Sequence, residues 1–123
     1  MNIQQLYEYC LSKNGVTEHF PFDEDTLVFK VGGKMFCLAS LKDWESGNPS
    51  INVKCDPAYA IELRDKYESV TPGFHSNKKH WNTIIVNREI ECKKIYHFIN
   101  HSYELVVAGL PKKLRDEIKK EAN

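Results

Sequence analysis

The stretch Leu27-Val28-Phe29-Lys30-Val31-Gly32-Gly33-Lys34-Met35-Phe36-Cys37-Leu38-Ala39 decides the fold. Two largely apolar runs flank a Gly-Gly pair, and glycines accept the positive φ angles that a two-residue hairpin turn demands. The turn predicts a register. Leu27 is set opposite Leu38 and Phe29 opposite Phe36 on the core face, leaving Val28, Lys30, Met35 and Cys37 on the other. Downstream, Ser50 to Cys55 alternates, with Ile51, Val53 and Cys55 inward and Ser50, Asn52 and Lys54 outward, which predicts a third strand. His80 to Val86 supplies another, and Val70 leaves room for a brief one ahead of Pro72-Gly73.

Helices surround these strands. Ile3, Leu6, Tyr7, Cys10 and Leu11 recur at three and four residues, the spacing of one helical stripe, and Asn14-Gly15 is its stop. Asp56-Pro57 matches an N-cap followed by proline at the first helical position, opening a short helix through Tyr67. Ile95, Phe98, Ile99, Ser102 and Val106 define a long helix ending at Gly109, and Pro111 restarts a last one with only Leu114 and Ile118 apolar. The segments Glu18 to Asp25 and Asp43 to Pro49 read as connections. Hairpin-linked strands with one apolar face predict an α+β two-layer sandwich, an antiparallel sheet with helices packed on one face. One domain is expected over residues 1–123, with no internal repeat or linker.

Composition narrows the function. The 17 basic and 17 acidic side chains cancel, so no overall field draws the protein to nucleic acid or to an anionic membrane, and polyanion binding has to come from local asymmetry. Asymmetry is present: Glu18, Asp23, Glu24 and Asp25 lie near the front, while Lys78, Lys79, Lys112, Lys113, Arg115, Lys119 and Lys120 lie toward the back. No basic leader with an apolar core and no membrane-length apolar run occurs, so the cytoplasm is the expected compartment. The cysteines, Cys10, Cys37, Cys55 and Cys92, form no Cys-x-x-Cys pair. They are expected to be reduced and unliganded, without metal or cofactor.

The segment Thr71-Pro72-Gly73-Phe74-His75-Ser76-Asn77-Lys78-Lys79-His80-Trp81-Asn82 is the part built to touch something. Lysines meet phosphate as point charges and aromatic rings stack on bases, so the interleaving fits a polyanion with flat bases. His75, Asn77, Lys78, Lys79, His80, Trp81 and Asn82 are the candidate contact residues, with Asn77 or Asn82 placed to read a base edge. Lys112, Lys113 and Arg115 join them if the last helix folds back. The same residues also fit a structural role, with Trp81 as a core anchor beside solvated lysines. No catalytic residue is assigned: His75, His80 and Asn77 have no nucleophile beside them, and Ser76 lacks a glycine-flanked elbow.

Four segments in order, Phe20-Pro21-Phe22-Asp23, Phe29 to Phe36, Thr71 to Asn82, and His101-Ser102-Tyr103 with Val106 to Lys113, resemble the MmcQ/YjbR family of small bacterial proteins across nearly the whole chain. The resemblance implies a CyaY-like sandwich, the fold of bacterial frataxins, and a DNA-binding role of the double-wing type. Iron handling does not follow from it. Hard cations need clustered oxygen ligands, and the first helix here carries only Glu8. The alternative to DNA is a protein-interaction or small anionic-ligand-binding module, the second sheet face of Val28, Met35 and Cys37 being the surface for a protein partner or a second copy.

Overall fold

The computed structural model describes residues 1–73 and 76–120. The hairpin organises it. β2 (Thr26–Val31) and β3 (Lys34–Ser40) meet at Gly32 and Gly33, whose φ angles are +57° and +79°. With β1 (Val16–His19), β4 (Ser50–Lys54), β5 (Val70–Pro72) and β6 (Trp81–Ile85) they form one antiparallel sheet in the order β1-β2-β3-β4-β6-β5.

The helices are α1 (Ile3–Leu11), α2 (Leu41–Glu45), α3 (Pro57–Lys66), α4 (Cys92–Ala108) and α5 (Lys112–Lys120). Leu6 and Cys10 of α1, Ala60 and Leu63 of α3, and Ile95, Phe98, Ile99 and Val106 of α4 share one core with the inward side chains of the sheet. The opposite face of the sheet carries none of these helices. Two expected connections hold structure instead: β1 lies within the stretch after Gly15, and Ser40 caps the short α2 by accepting from the Asp43 amide. The strand at β1 escaped the pattern because its burial runs from half-buried to exposed, which leaves no alternation to detect.

The register differs from the expected one by a bulge. Leu27 faces Ala39 and Val28 faces Leu38, then Phe29 faces Cys37 while Lys30 faces Met35, so Phe36 is the extra residue of β3. Phe29 and Phe36 do share the core face, with ring centroids 6.5 Å apart, and both are fully buried. Cys37, expected on the second face, is also buried in the core, and Leu38, expected in the core, turns to the open face and is half-buried. A bulge puts two residues of one strand against one of its partner, which lets Phe36 and Cys37 both point inward. Turn chemistry alone does not reveal the extra residue.

Ser102 explains how the bulge is tolerated. The β3–β4 pairing is confined to Cys37 with Val53 and Leu38 with Asn52. Where the ladder would continue, the buried Ser102 hydroxyl of α4 donates to the Phe36 carbonyl (2.6 Å) and accepts from the Lys54 amide (2.8 Å). One side chain thus satisfies a donor and an acceptor that the bulge separates, and it pins α4 over the centre of the sheet.

Candidate functional site

The turn before β6 is built by Asn77. Its carbonyl accepts the amides of His80 (3.1 Å) and Trp81 (3.0 Å), and its Oδ1 accepts the amide of Lys79 (3.0 Å). Gly73 closes the neck by donating to the Trp81 carbonyl at 2.9 Å. A Cβ at residue 73 would lie 2.8 Å from the Trp81 Cβ, so the close approach requires glycine. Arg64 of α3 holds the turn from inside: Nε donates to Asn82 Oδ1 (2.7 Å), and Nη2 donates to the carbonyls of Trp81 (3.2 Å) and Lys78. A planar guanidinium fork suits three acceptors at fixed angles.

The expected contact residues divide. Lys78 and Lys79 are exposed, although the Lys78 ammonium also donates to the Gly73 carbonyl at 3.2 Å. His80 and Trp81 are half-buried, and Asn77 is exposed with its side chain engaged in the turn. Asn82 is fully buried, bonded to Arg64 and at 3.5 Å to the Ala60 carbonyl, so it faces the core and not a base edge. Strand alternation is the reason: residue 82 pairs with the inward Val53. His75 lies outside the described residues.

Trp81 belongs to the open face. It pairs with Lys54, and Lys30 pairs with Met35, so two outward pairs, Lys30 with Met35 and Lys54 with Trp81, stand at the hairpin end of this face on either side of the interrupted β3–β4 ladder. The next row carries Leu38, Asn52, Thr83 and Thr71, and the third Thr26, Ser40, Ser50 and Ile85. Consecutive rows on one face are about 7 Å apart. Above the last two rows lies a groove of about 660 Å³, bounded further by Phe22, Asp23, Asp43, Asn48 and Ser76. Phe22 is 63% exposed. Val28 is buried between His19 and Leu38, so the apolar part of this face is Met35, Leu38 and Ile85, a correction to the expected trio of Val28, Met35 and Cys37.

Charge is graded along the strands. The hairpin end gathers Lys30, Lys34 and Lys54 with Lys78 and Lys79, the α3 cap Asp56 being an acid among them. Lys112, Lys113 and Arg115 of α5 come to the same end but under β1 and β2: Leu110 and Leu114 lie against Gly32 and Ile118 against Gly15. From β2 to β6 is three strand spacings, roughly 14 Å. The two cation groups therefore flank one edge rather than forming one cluster. Arg115 also donates to the Ala108 carbonyl at 3.3 Å.

The carboxylates of Asp23 and Asp25 lie at the other end and are occupied locally. Asp23 accepts the amides of Thr26 (2.6 Å) and Asp25 (2.9 Å), which hold its carboxyl below the usual range. Asp25 accepts from the Ser40 hydroxyl (2.7 Å) and the Lys42 amide (2.8 Å), and Glu18 accepts from Tyr7. Among the described residues no three His, Cys, Asp or Glu side chains converge to hold a metal ion. Among them, too, no helix is long and apolar enough to cross a membrane. Cys10, Cys37 and Cys55 are buried free thiols and Cys92 is exposed; burial pushes Cys55 up to about 11.

Arg64, Lys54 and Lys30 were absent from the expected site. Alternation already placed Lys54 outward and Lys30 on the second face, a signal that needed only the strand order to bring Lys54 beside Trp81 and Lys30 to the same end of that face. For Arg64 nothing in the sequence distinguishes it from a solvated helix cation.

Comparison with known proteins fits this architecture. Protein DR2400 of Deinococcus radiodurans, solved by crystallography and carrying the domain DUF419, superposes with a TM-score of 0.86 at 33% identity, over 96% of this chain and 88% of that one. A Pseudomonas syringae crystal structure superposes at 0.72 with 28% identity, over 85% and 98% of the two chains. In sequence, the uncharacterised protein YbdF of Escherichia coli O157:H7 is 42% identical over 94 residues, 76% of this chain and 75% of its own length. The uncharacterised protein YjbR of Escherichia coli K12 is 31% identical over 115 residues, 94% of this chain and 95% of its own. The YjbR family model matches residues 11–105; the chain belongs to the YjbR family.

Proposed function

We propose that this chain acts, as one domain, as a DNA-binding module that grips phosphates with the turn before β6. The observation that carries the reading is the placement of Trp81 on the open sheet face beside Lys54, with Lys78 and Lys79 exposed on the turn immediately before it. A protein with zero net charge attracts phosphate only where cations are gathered, and here they are gathered at the hairpin end while the carboxylates of Asp23 and Asp25 are spent on the far corner. Lys112 and Lys113, across the same edge, supply a second phosphate contact. Asn82 drops out of base reading because it is buried.

The test is a fluorescence-anisotropy titration with labelled DNA over a salt series. Each phosphate neutralised contributes a slope of about −0.9 in log K against log salt, so two to five contacts give roughly −2 to −5. Lys78→Ala with Lys79→Ala should flatten the slope by about two units, the fold staying intact. An unchanged slope in that variant refutes the turn as the contact. Absence of binding even at low salt refutes DNA binding and brings forward a protein partner or small anionic ligand on the open face.

A further inference from the structure

The groove of about 660 Å³ is of the size and make-up of a small-ligand site, and nothing in the turn chemistry uses it. Its floor is Met35, Leu38 and Ile85, its walls carry the hydroxyls of Thr26, Ser40, Ser50, Thr71 and Thr83 with the amide of Asn52, and the exposed ring of Phe22 stands at its rim. Among the described residues, none that lines it is a cation. The cations Lys30 and Lys54 lie one row nearer the hairpin, about 7 Å along the strands, and Asp23 and Asp43 close the opposite end. An occupant that matches this gradient has an anionic group at the Lys54–Trp81 end, a flat uncharged body over the apolar floor, and an N–H donor toward the Asp43 end, Asp23 being engaged by the Asp25 and Thr26 amides. A nucleotide of an unpaired strand has all three: phosphate, base, and the exocyclic amino group of adenine, cytosine or guanine.

We propose that the groove seats one unpaired base of a DNA single strand whose phosphate is held at Lys54 and the neighbouring turn. A base inside a duplex cannot enter, because its faces are stacked and its amino edge is paired. The inference rests on the DNA-binding reading and deepens it by naming the single strand as the preferred form.

The experiment compares three oligonucleotides of equal length at low salt with the full chain: a single strand, its duplex, and a single strand whose bases are replaced by abasic sites. Removing the base keeps the phosphates, so loss of affinity isolates the groove; a seated, stacked base corresponds to roughly tenfold or more. The expected result is that the intact single strand binds at least about tenfold more tightly than either control, with the same salt slope as the abasic strand. Leu38→Glu, which sets a carboxylate into the half-buried floor, should reduce the intact strand to the abasic level and leave abasic binding nearly unchanged. Equal binding of intact, abasic and duplex DNA overturns the groove while leaving phosphate binding by the turn in place. Binding of none of them overturns the DNA reading and the inference with it.

Discussion

Replacing Arg64 by Met tests whether the turn is held from inside. The guanidinium makes three contacts, but they are not equally costly to lose. The Trp81 carbonyl keeps the Gly73 amide at 2.9 Å, and the Lys78 carbonyl sits on an exposed turn where water replaces the donor. Asn82 is different: it is 0% exposed, and its Oδ1 takes the Arg64 Nε at 2.7 Å. A buried acceptor left without its donor costs about 1–3 kcal/mol, and the weakened ties to the turn add about 1 kcal/mol. Arg64→Met should therefore destabilise by about 2–4 kcal/mol in urea unfolding, read as a lower midpoint at constant slope. Arg64→Lys should recover only part, since an ammonium cannot fork across three acceptors. In Asn82→Leu the unpaired acceptor is gone, so adding Arg64→Met should cost at least about 1 kcal/mol less than in the wild type. A loss below about 1 kcal/mol for Arg64→Met, or strict additivity with Asn82→Leu, would refute the buried lock.

Ser102→Ala should destabilise by about 1–3 kcal/mol, because the Phe36 carbonyl and the Lys54 amide lose their bridge; a neutral effect in urea unfolding would mean the bulge closes on itself. With an aromatic disulfide reagent, Cys92 should react quickly in the native protein, while Cys10, Cys37 and Cys55 react only on unfolding; rapid modification of a second thiol, or stoichiometric zinc in the purified protein, would count against buried free cysteines. His101 gives a pH effect of definite sign. Burial first, and then the neighbouring His97, lower its pKa, and the neutral ring accepts the Asp56 amide at Nε2 (3.2 Å). Its contribution is fully present above the ordinary histidine value of about 6.5 and is lost as pH falls from there through the lower folded value. His101→Gln should make thermal stability flatter across that window, and an unaltered pH profile would reject the assignment.

The sequence by itself determined the periodic elements. The stripe of Ile3, Leu6 and Cys10, the Asp56-Pro57 helix start, the alternation of Ile51 and Val53 and the Gly32-Gly33 turn each depend on local rules, and each element stands in the structure where its pattern placed it. The family resemblance was legible for a similar reason, since its motifs are contiguous. Tertiary structure alone decided the rest. A bulge at Phe36 reversed Cys37 and Leu38, because one inserted residue changes faces without altering the composition of the strand. Asn82 went from a candidate base reader to a buried partner of Arg64, a residue 18 positions earlier in the chain. Likewise Lys30, Lys54 and Trp81 are remote in sequence and come to one end of the open face only through the order β2-β3-β4-β6. Long-range pairing selects which side chains meet, and no local period carries that information.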